Sequence, residues 1–187
     1  MAHPWHDIAL PADDDLEVFP VVIEVPQGDK NKYELDKRTG LLRVDRVLYS
    51  AVHYPANYGF VPRTYAEDDD PLDVLVLGQE PVVPLAILQA RAIGGFRMHD
   101  EHGVDTKIIA VHVNDPAVSD YQDIADLPKH QMNEMIRFFE DYKVLEGKNV
   151  EVGGRIDRTE AKRILRASVE RYRAQSARLR AETVPPV

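Results

Sequence analysis

The sequence predicts a segregated α+β fold, a small β barrel followed by two amphipathic helices packed outside it. Three observations carry this. From Val21 onward apolar residues alternate at period two; Pro- and Gly-rich punctuation separates the short runs; and after Pro128 the hydrophobic period becomes helical.

Residues 1–19 are polar and acidic and read as an arm leading into the fold, with Trp5 suited to packing or a subunit contact. Val21, Ile23 and Val25 form the first strand face. Lys32-Tyr33-Glu34-Leu35 follows the Gly28-Asp29 turn signal, and Arg38-Thr39-Gly40 marks the next turn. Leu42, Val44, Arg46 and Leu48 then share one strand face. An Arg on such a face needs an anionic partner if buried. Asp73–Leu77 is a short apolar run suited to a buried strand, and 87–93 and 107–113 complete the set. Met132, Met135, Ile136, Phe139 and Tyr142 share a helical face, with Pro128 near its start and Gly147 just past its end. Asp157 and Glu160 have capping-box spacing, and Ala161, Ile164, Leu165, Ser168, Val169 and Tyr172 form the stripe of a second helix. The whole of 1–187 reads as one domain, with a loose tail over about 180–187.

The chain has 187 residues, with 23 Lys+Arg against 32 Asp+Glu, and a formal net charge of −9. This length suits a single core that needs no staples. Cys is absent, which excludes disulfides, thiolate metal sites and a Cys nucleophile. The acidic balance argues against a duplex DNA binder and fits cation binding. No apolar run approaches the roughly 18 residues of a membrane span, and residues 1–7 lack the pattern of a secretory signal, so a cytoplasmic location is expected.

The chemistry concentrates in Glu67-Asp68-Asp69-Asp70-Pro71-Leu72-Asp73. Carboxylates this close repel unless solvated or neutralised by a cation. Pro71 stiffens the loop, and Asp73 ties it to an apolar strand. Hard oxygen donors suit Mg²⁺, Mn²⁺ or Ca²⁺. An EF-hand fails, because counting from Asp68 puts Asp73 at the turn-Gly position and Gln79 at the bidentate Glu position. A P-loop fails too, because Gly147-Lys148 is followed by Asn149 and the upstream Gly position is Tyr142. In Met98–Lys107, Asp105 and Lys107 share a strand face. His99 and His102 in that stretch read as solvent-exposed. Lys and Arg beside metal-binding carboxylates are what phosphoryl chemistry requires.

Seven segments in order resemble one family. They are 23–26 (IEVP), 31–36 (NKYELD), 44–46 (VDR), 54–60 (YPANYGF), 68–76 (DDDPLDVLV), 100–107 (DEHGVDTK) and 138–143 (FFEDYK). The chain is similar to the soluble, barrel-type, Mg²⁺-dependent inorganic pyrophosphatases of bacteria, archaea and plants. The resemblance implies a five-stranded OB-like barrel and hydrolysis of pyrophosphate to two orthophosphates. It also implies several Mg²⁺ ions per site, with Mn²⁺ or another divalent ion as substitute. By motif match, Asp68, Asp73 and Asp105 are ligands of a metal pair, and Asp100 with Asp105 binds a further ion. Asp70 is the general base, and Glu24, supported by Glu34, acts on the attacking water. Lys32, Arg46, Tyr58, Lys107, Tyr142 and Lys143 grip phosphate oxygens, and Tyr58 belongs to the catalytic set as well. A homo-oligomer is implied, commonly a hexamer in bacteria, with no nucleic-acid or membrane partner. One departure stands out, Asp69 where the family usually has Gly. If that position needs φ > 0, Asp is among the less costly replacements, and Asp69→Gly is expected to keep activity.

Two other readings remain at this stage. A non-enzymatic cation-binding module explains the acidic loop but leaves Lys32, Arg46 and Lys143 without a role. An OB-fold binder of single strands would need a basic groove, which the charge of −9 does not favour.

Overall fold

The computed structural model describes residues 2–12, 16–100 and 103–183. Its strands are β1 (Phe19–Val25), β2 (Asn31–Leu35), β3 (Leu42–Val47), β4 (Asn57–Phe60), β5 (Asp73–Leu77), β6 (Ile87–Asp100), β7 (Gly103–His112) and β8 (Glu151–Ile156). Its α-helices are α1 (Lys129–Asp141) and α2 (Arg158–Thr183).

Five strands close into a ring in the order β1-β4-β5-β7-β6, with β6 returning to β1. The β5–β7 pairing is parallel and the other ring pairings are antiparallel, so the sheet is mixed. This ring with its two helices is consistent with an OB-like α+β fold. Closure removes the edge that an open sheet would leave unpaired. Every residue of β1 is buried. Gly59 makes the tight β1–β4 approach possible, because a Cβ there would stand 2.0 Å from the Val22 carbonyl oxygen. At Gly94, φ is +154° beside the irregularity in the β6–β7 register, which lets the long β6 bend and serve β1 at one end and β8 at the other.

Alternation along the ring strands feeds two cores. Val21, Ile23, Val74, Val76, Ile108 and Ala110 pack with Ala161, Leu165 and Val169 of α2. Leu75, Leu77, Phe96, Ile109 and Val111 pack with Met132, Met135, Phe138 and Phe139 of α1. A third cluster joins the arm to α2 through Trp5, Tyr65, Tyr172 and Leu179. Trp5 is 2% exposed, and its indole N–H donates to the Thr64 carbonyl at 2.8 Å. Trp5 is thus a packing residue of the arm.

The structure differs from the sequence reading in several places. β2 and β3 form a separate two-stranded hairpin, and Val44 and Val47 on it are exposed, so Val44 does not share a buried face with Leu48. The first helix stops at Asp141, and Gly147, at φ +74°, caps a short 3-10 turn over Val144–Glu146. β6 reaches Asp100 rather than ending near 93. β8 was not foreseen, since Gly153 and Gly154 interrupt its pattern. The Asp157 carboxylate caps the Glu160 N–H at 2.8 Å, but the Glu160 carboxylate turns to Arg97 and Arg163. The expected loose tail from about 180 is helical through Thr183, where Arg180 bonds Asp7 at 3.0 Å and also the His6 carbonyl. Residues 184–187 lie outside the described residues, as do Asp13, Asp14 and Asp15.

Candidate active site

A cleft of about 830 Å³ opens between one mouth of the ring, the β2–β3 hairpin and the segment that ends α1. Glu24, Lys32, Glu34, Arg46, Tyr58, Asp68, Asp70, Asp73, Asp105, Lys107, Tyr142 and Lys143 all line it. Asp100 closes β6, and its side chain lies outside the described part of the structure. His99 is exposed, and His102 lies outside the described residues.

The ring contributes the carboxylates. β5 begins at Asp73 and runs parallel to β7, which brings Asp73 toward Asp105. Carboxylate oxygens of Asp68, Asp73 and Asp105 lie within 4.8 Å of one another. Lys107 stands among them, 3% exposed. Its ammonium pairs with Asp73, pairs with Asp105 at 2.7 Å and donates to the Tyr58 hydroxyl at 3.1 Å. It also lies 5.6 Å from the centre of the Tyr58 ring. Burial opposes its charge, but the Asp105 and Asp73 carboxylates outweigh that and hold its pKa well above the usual lysine value.

One buried cation does not balance this many acids. Burial, reinforced by Asp73 and Asp105, raises the Asp68 carboxyl to about 7. Burial, reinforced by Asp73, raises Glu24 to about 8, even though Glu24 accepts the Leu35 N–H at 2.7 Å. Burial among like charges thus disfavours the ionised form of these two carboxyls, and a cation held between them and Asp73 would favour it. Three converging carboxylates make a hard, all-oxygen donor set, which fits Mg²⁺ or Mn²⁺ and not a thiolate-loving metal.

The acidic loop is closed at its base. The Leu72 N–H donates to Thr64 Oγ1 at 2.8 Å, and the Ala66 N–H donates to the Asp70 carbonyl at 2.7 Å. Asp69 sits at φ +65°, so the conformation that favours Gly is present and Asp tolerates it. Asp70 is half-exposed, its N–H donates to Asp68 Oδ1 at 3.2 Å, and its carboxylate pairs with Lys37.

The hairpin and the end of α1 contribute the cations. Lys32 pairs with Glu34 and lies 3.3 Å from Asp45. Arg46 pairs with Asp45, and its Nε donates to Glu146 at 2.8 Å. This is the anionic partner that its position in the sequence demanded. The Lys143 ammonium lies 5.4 Å from the centre of the Tyr142 ring. On the hairpin and the segment after α1 the lining holds seven basic side chains against three acidic ones, so a locally basic rim exists despite the acidic chain. Sequence reading missed Lys37, Arg38, Arg43, Lys148 and Glu146. Lys37 and Arg38 flank the hairpin turn that it did recognise, which was the available signal. Glu146 meets Arg46 across 100 residues, and no local pattern announces that pairing.

Comparisons with known proteins agree with this geometry. The profile of the family described as Inorganic pyrophosphatase matches residues 21–173. The soluble inorganic pyrophosphatase of Zea mays is 54% identical over 171 residues, covering 91% of this chain and 79% of that protein. Soluble inorganic pyrophosphatase 2 of Chlamydomonas reinhardtii is 53% identical over 171 residues, covering 91% of this chain and 88% of its own length. The crystal structure of inorganic pyrophosphatase from Thermus thermophilus superposes with a TM-score of 0.87 at 43% identity, covering 92% of this chain and 99% of that one. With the profile spanning most of the chain and relatives above half identity, the chain belongs to the inorganic pyrophosphatase family of hydrolases.

Proposed function

We propose that this protein hydrolyses inorganic pyrophosphate to two orthophosphates in a Mg²⁺-dependent reaction, on an OB-like barrel, with Mn²⁺ or another divalent ion as substitute. The observation that carries the reading is the junction, in one cleft, of three converging carboxylates with a basic rim. Asp68, Asp73 and Asp105 would hold the ions, with Asp100 serving a further one. Bound divalent ions supply Lewis-acid activation of water and screen the charge of the polyanion.

The chain's own groups do the rest. Asp70, half-exposed at the cleft, takes the proton of the attacking water. Burial keeps the Tyr58 phenol protonated at neutral pH, so it is a neutral donor to a phosphate oxygen, oriented by the Lys107 ammonium. Lys32, Arg46, Tyr142 and Lys143 line the cleft, and as preorganised donors to phosphate oxygens they would stabilise charge as the anhydride breaks. Glu24, which burial raises to about 8 in the metal-free protein, stands beside the carboxylates that would hold the ions and acts on the attacking water, supported by the neighbouring Glu34. The protein works in the cytoplasm as a homo-oligomer, with a hexamer favoured by resemblance. Among the described residues no helix is long and apolar enough to cross a membrane.

The test is orthophosphate release from pyrophosphate with Mg²⁺, with Ca²⁺ and with chelator. Fast release with Mg²⁺ that chelator abolishes is the expected result. Metal binding without release from folded protein would overturn it in favour of a cation-binding module.

A further inference from the structure

Asp69 interrupts the acidic loop with a side chain that the cleft does not use, since it is absent from the lining that includes Asp68 and Asp70. Its carboxylate accepts the Tyr65 hydroxyl at 2.5 Å. That hydroxyl accepts in turn from Arg178 Nη2 at 3.1 Å, and the guanidinium lies 5.7 Å from the centre of the Tyr65 ring. Tyr65 is otherwise held on α2, its N–H donating to the Ser168 carbonyl at 2.9 Å and its own carbonyl accepting from Arg171 at 2.9 Å. The ring is 5% exposed and packs beside Trp5. The hydroxyl is therefore the atom through which this anchored residue grips the tip of the loop.

The consequence is geometric and electrostatic. A residue at positive φ has no wide backbone well to rest in, so its orientation depends on what holds it. Asp69 lies between Asp68 and Asp70, and any rotation about it moves both. The grip of Tyr65 also turns the Asp69 carboxylate away from the cleft, onto a hydroxyl that Arg178 holds from its other side. We infer that Tyr65, backed by Arg178, is a positioning residue that acts through Asp69 to set Asp68 and Asp70 for metal binding and catalysis. This inference rests on the function proposed above for that loop.

Tyr65→Phe removes one oxygen and keeps the packing, which makes it the sharpest variant. Asp69→Gly is less informative, because it removes the tie and the backbone cost together. Binding of Mn²⁺ alone, followed by calorimetry, gives a readout that needs no turnover. Tyr65→Phe is expected to weaken Mn²⁺ binding about tenfold. It should lower kcat severalfold while KM for pyrophosphate stays within about twofold, the thermal midpoint stays within about 3 °C and Asp69→Asn, which keeps an acceptor oxygen, stays near the unaltered protein. Arg178→Met is the second variant and should fall between the two. Unchanged Mn²⁺ affinity in both Tyr65→Phe and Arg178→Met would overturn the inference. If the unaltered protein binds Mn²⁺ but releases no orthophosphate, the functional reading falls alone, and a weakened Tyr65→Phe still upholds the positioning of the loop.

Discussion

The ring and the β2–β3 hairpin both face the cleft and both carry charge, but they hold it differently. On the ring the Lys107, Asp73 and Asp105 side chains are 4%, 18% and 18% exposed, whereas on the hairpin Lys32, Glu34 and Arg43 are 17%, 32% and 64% exposed. The ring's charges sit on paired strands and contact one another through Lys107, so they cannot relax freely when a partner is lost. The hairpin's charges pair with one another across two strands, and water can replace any of those partners. The ring therefore suits a function needing strict geometry, the convergence of carboxylates on cations. The hairpin suits one needing cations that can exchange Glu34, Asp45 or Glu146 for an incoming phosphate oxygen.

Substitutions that strike the two regions separately test this contrast. Asp73→Asn removes a converging carboxylate and a partner of Lys107, and steady-state assays should show kcat lower by on the order of a thousandfold. The same variant should lose the thermal stabilisation that Mg²⁺ gives the unaltered protein, about 2.7 kcal/mol at a hundred times its Kd. Equal Mg²⁺ stabilisation in both proteins would erase the ring's distinct role. Arg46→Ala strikes the hairpin and should raise KM for pyrophosphate by about tenfold, with a smaller change in kcat and the Mg²⁺ stabilisation intact. A loss confined to kcat would place Arg46 with the ring instead. Arg43→Ala cuts the outermost pair of the hairpin, and its kcat/KM should stay within about twofold, the scale of an exposed ion pair.

The ring strands whose side chains alternate cleanly, and the stripes of α1 and α2, were legible because burial imposes a period on the sequence. The acidic loop was legible because so many carboxylates in a row conflict with ordinary folding rules. The positive φ of Asp69 was signalled only by the Gly usual at that position in the resembled family, and its bond to Tyr65 by nothing in the sequence. The hairpin was harder. Val44 looks like a core residue and is exposed, because β2 and β3 pair only with each other. β8 was hidden by its glycines, and it is held by pairing with the outer half of β6 rather than by an apolar pattern of its own. Lys37 and Glu146 enter the site through contacts between distant segments, which a local period cannot encode.

The clasp between the arm and α2 bears on the order in which the molecule is completed. Arg180 reaches Asp7 across 173 residues, and Trp5 rests against Tyr172 and Leu179 of the same helix. During synthesis the arm emerges first and meets Thr64 and Tyr65 on the barrel side early, but its contacts with Tyr172 and Leu179 form only when the last turns of α2 leave the ribosome. Trp5 is the only tryptophan of the chain. Its fluorescence thus reports two steps, docking on Thr64 and Tyr65 and then the cover by α2, and a truncation that spares every cleft residue but removes those turns should expose the indole on its α2 side while its bond to Thr64 stays.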